Sequence, residues 1–142
     1  GATIVAALLA MSVDVELSPR LQRGDWRDVA RALRTPLAEP RAITTVELGS
    51  APLEYYLPQL RLRNLHAGQS IGVREIDETG YAPLRAAAGE PPAPGFRRAG
   101  RLDVDGLIVY RFVAKAPRTV SEATLRRHAI TLAHPEVLVP AR

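Results

Sequence analysis

The stretch Asp25-Trp26-Arg27-Asp28-Val29-Ala30-Arg31-Ala32-Leu33 constrains the fold more than any other part of this 142-residue chain. Asp25 has the short acceptor side chain that caps a helix start, and Asp28 falls in the first turn, where the helix dipole favours a carboxylate. Trp26, Val29, Ala30 and Leu33 recur at i, i+3, i+4 and i+7, which gathers them on one helical face. Arg27, Arg31 and Arg34 point elsewhere. The spacing predicts an amphipathic helix whose apolar stripe, with the chain's single Trp, must be sealed against a sheet.

Thr35-Pro36 and Glu39-Pro40 end that helix, because proline disfavours helix in the residue before it and lacks its own N–H. The β-branched run Ala42–Leu48 predicts a strand. Gly49-Ser50 then turns the chain into a helix over Ala51–Leu57 that Ser50 is expected to cap, with Pro52 in its first turn. Strand–Gly–Ser–helix also admits a phosphate-binding reading, but one glycine is no G-x-G-x-x-G fingerprint, and Pro52 removes a donor. Residues Arg61–Gly68 read as a connector and Ser70–Asp77 as a second strand. Residues Gly80–Gly95, rich in proline and glycine, form a long loop with at most one helical turn near Pro83–Ala88. Phe96–Val104 and Leu107–Ala114 flank Asp105-Gly106, a strong hairpin signal. The second arm is apolar on both faces and is placed inside the sheet, ending at Pro117. Ser121 caps a last helix, Val120 and Leu125 have hydrophobic-staple spacing, and Leu125, Ala129 and Leu132 continue a buried stripe. Glu136–Val139 closes the chain as a short strand.

These elements predict an α/β domain: a small mixed sheet of about five strands, one antiparallel hairpin among them, flanked by helices. Strands separated by helices favour parallel pairing, so the expectation is a Rossmann-like two- or three-layer sandwich without a nucleotide fingerprint. Residues 14–142 are read as one domain, with 1–13 as a separate apolar segment.

Composition narrows the function. The formal charge is +4, yet Lys115 is the single lysine among 19 basic residues, and the arginines are scattered. The clusters Arg61/Arg63, Arg97/Arg98/Arg101 and Arg126/Arg127 lack interleaved aromatics for base stacking, so nucleic acid is not an expected partner. The absence of cysteine excludes disulfides, thiol catalysis and cysteine-ligated metal. His66, His128 and His134 have no metal-binding spacing and read as surface or supporting residues, so neither metal nor cofactor is expected. No G-x-S-x-G is present. The pairs Asp14/Glu16, Glu75/Asp77 and Asp103/Asp105 have i, i+2 spacing, which aims both carboxylates the same way on a strand. They read as solvent faces of edge strands. The competing reading is a cation site or a glycoside cleft, hence a small hydrolase.

Ala2–Val13 carries no charge. As a helix it would be about 18 Å long, short of the roughly 30 Å bilayer core. It reads as a core element, an amphipathic lid or the outer end of a transmembrane helix, with Asp14–Pro19 as an exit into water. An uncovered Ile4–Leu9 surface would favour a homo-oligomer through this segment.

Five stretches carry a family resemblance: D-W-R-D-V-A-R-A-L, A-P-L-E-Y-Y-L, G-F-R-R-A-G-R, L-I-V-Y-R-F-V-A and A-P-R-T-V-S-E-A-T-L. From about Asp14 to the C-terminus the chain resembles the C-terminal soluble domain of actinobacterial membrane glycosyltransferases. These are similar to the dolichyl-phosphate-mannose protein mannosyltransferases and the lipid-linked arabinose transferases. The resemblance implies a domain on the extracytoplasmic face of the cell membrane, attached to a parent transmembrane domain that draws sugar from a polyprenyl-phosphate donor. The family's acidic catalytic residues are implied to lie in loops between early transmembrane helices, so no catalytic residue carries over. Arg20, Arg23 and Arg27, just after the apolar segment, are then expected to meet anionic lipid headgroups. The alternative is a free-standing small-ligand module with a pocket near Gly49–Ser50 or under the Gly80–Gly95 loop.

Overall fold

A computed structural model describes residues 25–132 and 134–141. Ala2–Val13, the Asp14/Glu16 pair, Arg20 and Arg23 lie outside the described residues. Among the described residues, no helix is long and apolar enough to cross a membrane.

Helix α1 runs over Trp26–Arg34, and the Asp25 side chain accepts from the N–H groups of Arg27 and Asp28, as its sequence demands. Val29, Ala30 and Leu33 are buried, and Trp26 meets the Tyr81 ring edge-on at 6.5 Å between centroids. Strand β1 (Arg41–Thr45) leads to α2 (Ser50–Tyr56), and a short 3-10 turn at Pro58–Leu60 leads to β2 (Leu62–Asn64). Strands β3 (Ser70–Tyr81), β4 (Phe96–Val104) and β5 (Leu107–Ser121) follow, then α3 (Glu122–His128) and β6 (Glu136–Pro140).

The six strands form one mixed sheet in the order β2-β6-β1-β3-β5-β4. Among the described residues, only β1 and β3 pair in parallel; the other four pairings are antiparallel. The class is α/β, but with six strands where about five were expected, and with antiparallel pairing where parallel was expected. The sixth is β2, inside the stretch read as a connector: three residues are too short to leave a pattern, and β6 supplies the pairing. Antiparallel pairing wins because the hairpin's second arm returns beside β3, while β6 enters the free edge of β1 from the opposite direction.

Helices cover both faces. On one, Val29, Ala30 and Leu33 of α1 and Leu53 of α2 pack with Ile43, Leu107, Val109 and Leu138 of the sheet. On the other, Leu125 of α3 and Ile130 pack with Ile76, Phe112, Val120 and Val137. The 82–95 loop contributes Leu84, Ala88 and Ala93 to that second core and has no helix. Arg85 fastens it, donating from Nε to Thr131 O at 2.7 Å and from Nη1 to Arg127 O at 2.6 Å. Leu132, expected in the buried stripe, is 60% exposed, because the chain leaves α3 after His128 and the stripe loses its period.

The Asp105-Gly106 hairpin forms as read, both residues at positive φ (44° and 88°), the requirement of a type I′ turn. Ser121 caps α3 through Thr124 N, with Val120 and Leu125 both buried. Pro117 does not end β5. Val73 pairs with Arg118 and Glu75 with Val113, so residues 114–117 face an irregularity at Arg74, where no ladder N–H is demanded of proline. Ser50 is the first helical residue of α2 and does not cap it; Gly49 takes the cap position with no side-chain bond.

Gly49 is required by space. A Cβ there would lie 2.2 Å from Thr45 Oγ1 and 2.9 Å from the backbone oxygen of Val46. Gly49→Ala is expected to lower stability by about 1–3 kcal/mol, read from urea unfolding. An unchanged midpoint would show that the turn opens freely.

Candidate functional site

The candidate site is built on three adjacent strands beneath the C-terminal end of α1. Arg41 opens β1 and pairs in register with Glu75 of β3; Asp77, two residues on, faces the same way. Arg111 of β5 pairs in register with Asp77. The Glu75, Asp77 and Arg41 side chains are fully buried, and Arg111 reaches the surface slightly.

Two arginines and two carboxylates thus share an interior site, and their bonds interlock. Arg111 donates from Nε to Asp77 Oδ1 at 3.0 Å and from Nη2 to Glu75 Oε1 at 2.5 Å. It also reaches the carbonyls of Ala32 (3.3 Å) and Thr35 (2.9 Å). Arg41 Nη1 donates to Leu33 O at 2.6 Å and lies 3.4 Å from Asp77 Oδ2. Glu75 Oε2 accepts from Ala38 N at 2.5 Å. The last carbonyls of α1 have no partners within the helix, and they carry the negative end of its dipole. Guanidinium groups satisfy both needs at once.

Burial pushes the Asp77 carboxyl up, from the ordinary 3.8 to about 7, and the Glu75 charge adds to this, while Arg111 and Arg41 pull the other way. Burial works against the Arg111 charge, but Asp77 and Glu75 outweigh it and hold its pKa above the ordinary value. The net charge therefore changes near neutral pH. Chemically the cluster is a clamp: both carboxylates are engaged by arginine and closed to solvent. Arg41 Nε and Nη2 are buried without a hydrogen-bond partner among the described residues.

The opposite face of the sheet holds the third buried acid of β3. Glu78 of β3 is buried, and its Oε1 lies 2.9 Å from His128 Nδ1 in the last turn of α3. The imidazole also meets the Phe112 ring edge-on at 6.2 Å. Burial raises the Glu78 pKa, and the hydrogen bond and charge of His128 oppose it. Among the described residues, no group of three His, Cys, Asp or Glu side chains is placed to hold a metal ion.

The residues singled out from sequence fall as follows. Arg27 is exposed in the first turn of α1; Arg20 and Arg23 lie outside the described residues. The anion reading of Gly49–Ser50 is answered from within, because the Ser50 N–H is donated to Glu136 Oε2 at 2.8 Å. The apolar side chains of the 82–95 loop pack into the core beneath it, where a pocket was the alternative expectation. Glu75/Asp77, read as a solvent face, is the centre of the interior. The missed signal was Arg111, a lone cation on a strand face otherwise made of Leu107, Val109 and Val113; a cation there demands a buried carboxylate. Asp103 is exposed and pairs with Arg101 at 3.1 Å.

No protein-family model, curated protein or solved structure matches the chain.

The cluster makes stability pH-dependent. A carboxyl whose pKa is higher folded than unfolded retains its proton in the native state between the two values. Its contribution is full below about 3.8 and is lost as pH rises through about 7. Asp77→Asn is therefore expected to flatten the pH dependence of the urea midpoint between pH 4 and 8 and to be best tolerated at the alkaline end. Wild-type and variant profiles that run parallel would contradict it. Arg111→Met leaves two buried carboxylates short of a partner and is expected to cost about 3–5 kcal/mol at pH 8, measured by the same method.

Proposed function

We propose that residues 14–142 form a non-catalytic accessory domain, on the extracytoplasmic face, of a membrane-embedded glycosyltransferase that uses a polyprenyl-phosphate sugar donor. Residues 2–13 would be the outer end of its last transmembrane helix. The resemblance of the five sequence stretches motivates this reading. The observation that supports it best is the clamp. The helix that directly follows the apolar, arginine-bearing stretch is fastened at its C-terminal end to β1 and β5 by two arginines, which in turn hold the carboxylates of β3. A membrane-attached domain needs that rigidity, because a loosely joined first helix would not transmit orientation from the bilayer to the sheet. The carboxylates nearest to that helix are occupied by arginine, which suits a scaffold better than a catalyst.

In this reading Arg20, Arg23 and Arg27 lie at the headgroup level. The protein is expected to sediment with vesicles containing anionic lipid and not with neutral ones. Replacing all three by Ala removes about 3 kcal/mol at roughly 1 kcal/mol per charge, on the order of a hundredfold in partition coefficient. Equal sedimentation of wild type and the triple variant would refute the membrane-proximal placement.

The second reading, a free-standing ligand-binding module, draws on a pocket of about 710 Å³ at one end of the sheet, lined by Glu39, Arg41, Gln59, Leu60, Arg63 and Pro140 among others. The upstream reading frame separates the two. Several hydrophobic spans ahead of Ala2 favour the accessory domain, and a start codon just before Gly1 favours the module.

A further inference from the structure

The sheet carries two irregularities on either side of β5, and they open onto the same place. On β3 the ladder shifts at Arg74, between Val73 and Glu75; on β4 it shifts at Ala99, between Arg98 and Gly100. Irregularities of this kind re-aim side chains and gather at functional sites. Between them lies a pocket of about 430 Å³ whose walls include Arg74, Arg97, Lys115, Leu37, Ala99 and Val113. It thus brings the chain's single lysine together with two arginines from different strands.

Among the described residues, no carboxylate lines this pocket. Among the described residues, none of the three cations makes an ion pair. Arg74 Nε is buried without a hydrogen-bond partner among them. The acid nearest in the ladder, Glu75, is already taken by Arg111 and by the N–H of Ala38. The wall is also fixed: Arg74 N donates to Pro40 O at 2.6 Å, and the Ala38–Glu75 bond holds the same segment. Three like charges lining one pocket repel one another, and an anion bound among them would offset that cost.

We infer that this pocket binds the phosphate group of an organic phosphate, a monoester or a diphosphate. Three cations exceed what a single carboxylate can use, whereas a phosphate offers a charge near −2 and several acceptor oxygens that suit arginine forks. The apolar walls at Leu37, Ala99 and Val113 leave room for the organic part. Arg27 does not line this pocket, and the proposal stands whether or not the accessory-domain reading holds.

The test titrates the protein with inorganic pyrophosphate, followed by calorimetry, and separately with phosphatidylcholine vesicles with and without phosphatidic acid. Wild type is compared with Arg74→Gln/Arg97→Gln/Lys115→Gln and with a control of equal charge, Arg34→Gln/Arg61→Gln/Arg127→Gln. The expected result is saturable binding that weakens at least tenfold in the pocket variant and less than twofold in the control. Pyrophosphate binding without vesicle binding identifies a free phosphate as the source. Phosphatidic-acid-dependent vesicle binding lost in the pocket variant identifies a lipid headgroup. Saturable binding to neither probe, or equal loss in both variants, overturns the proposal. Should the triple variant fail to fold, Lys115→Gln alone, at an exposed position, serves in its place.

Discussion

The interaction on which the rest of this structure depends is the burial of two arginines against two carboxylates under the end of α1. Desolvating four ionisable groups is expensive, and a network of this kind is seldom the most stable way to fill a core. What it supplies here is connection. Arg41 and Arg111 each reach a β3 carboxylate on one side and α1 carbonyls on the other. The helix position and the β1-β3-β5 register are therefore conditions of one another. A slip of β3 by one residue would set Ile76 opposite Arg41 and turn Glu75 and Asp77 to the other face, so that register is disfavoured by buried charge left unpaired as well as by lost apolar contact.

That same arrangement explains what could be read in the amino-acid order and what could not. Local signals held: the Asp25 cap, the Val29–Leu33 stripe, the Asp105-Gly106 turn and the Val120/Leu125 staple each depend on residues within one or two turns. Pairing direction did not follow, because it is decided by where distant segments meet; β6 reaches β1 across some ninety residues of chain. Pro117 misled for a related reason, since whether a strand tolerates proline depends on whether a neighbour asks for its N–H. Glu75 and Asp77 misled most. Their spacing correctly put both on one face, but which face is buried is a property of the sheet's neighbours, and it was Arg111 that carried the clue.

The two layers are chemically unlike. Beneath α1 the acids of β3 meet permanent cations, whereas on the α3 side Glu78 meets His128, whose charge is itself conditional. Strand β3 therefore places an acid in each layer, and β5 answers with Arg111 on one face and the Phe112 ring, against His128, on the other. The three-layer form is common to many α/β domains; the buried cluster of two arginines and two acids is what individualises this one.

The irregularity at Arg74 has a consequence for how such a gene can change. Val73 and Ile76 face the same core, three residues apart, so the alternation of β3 restarts at that point. The strand is in effect two segments out of step by one residue. A one-codon insertion or deletion at the irregularity can be absorbed by backbone that is already off its ladder. The same event between Glu75 and Tyr81 would exchange the layers, sending Ile76 beneath α1 and Asp77 towards α3. Length variation among descendants of this sequence should accordingly be found at one point of the strand and purged from the rest.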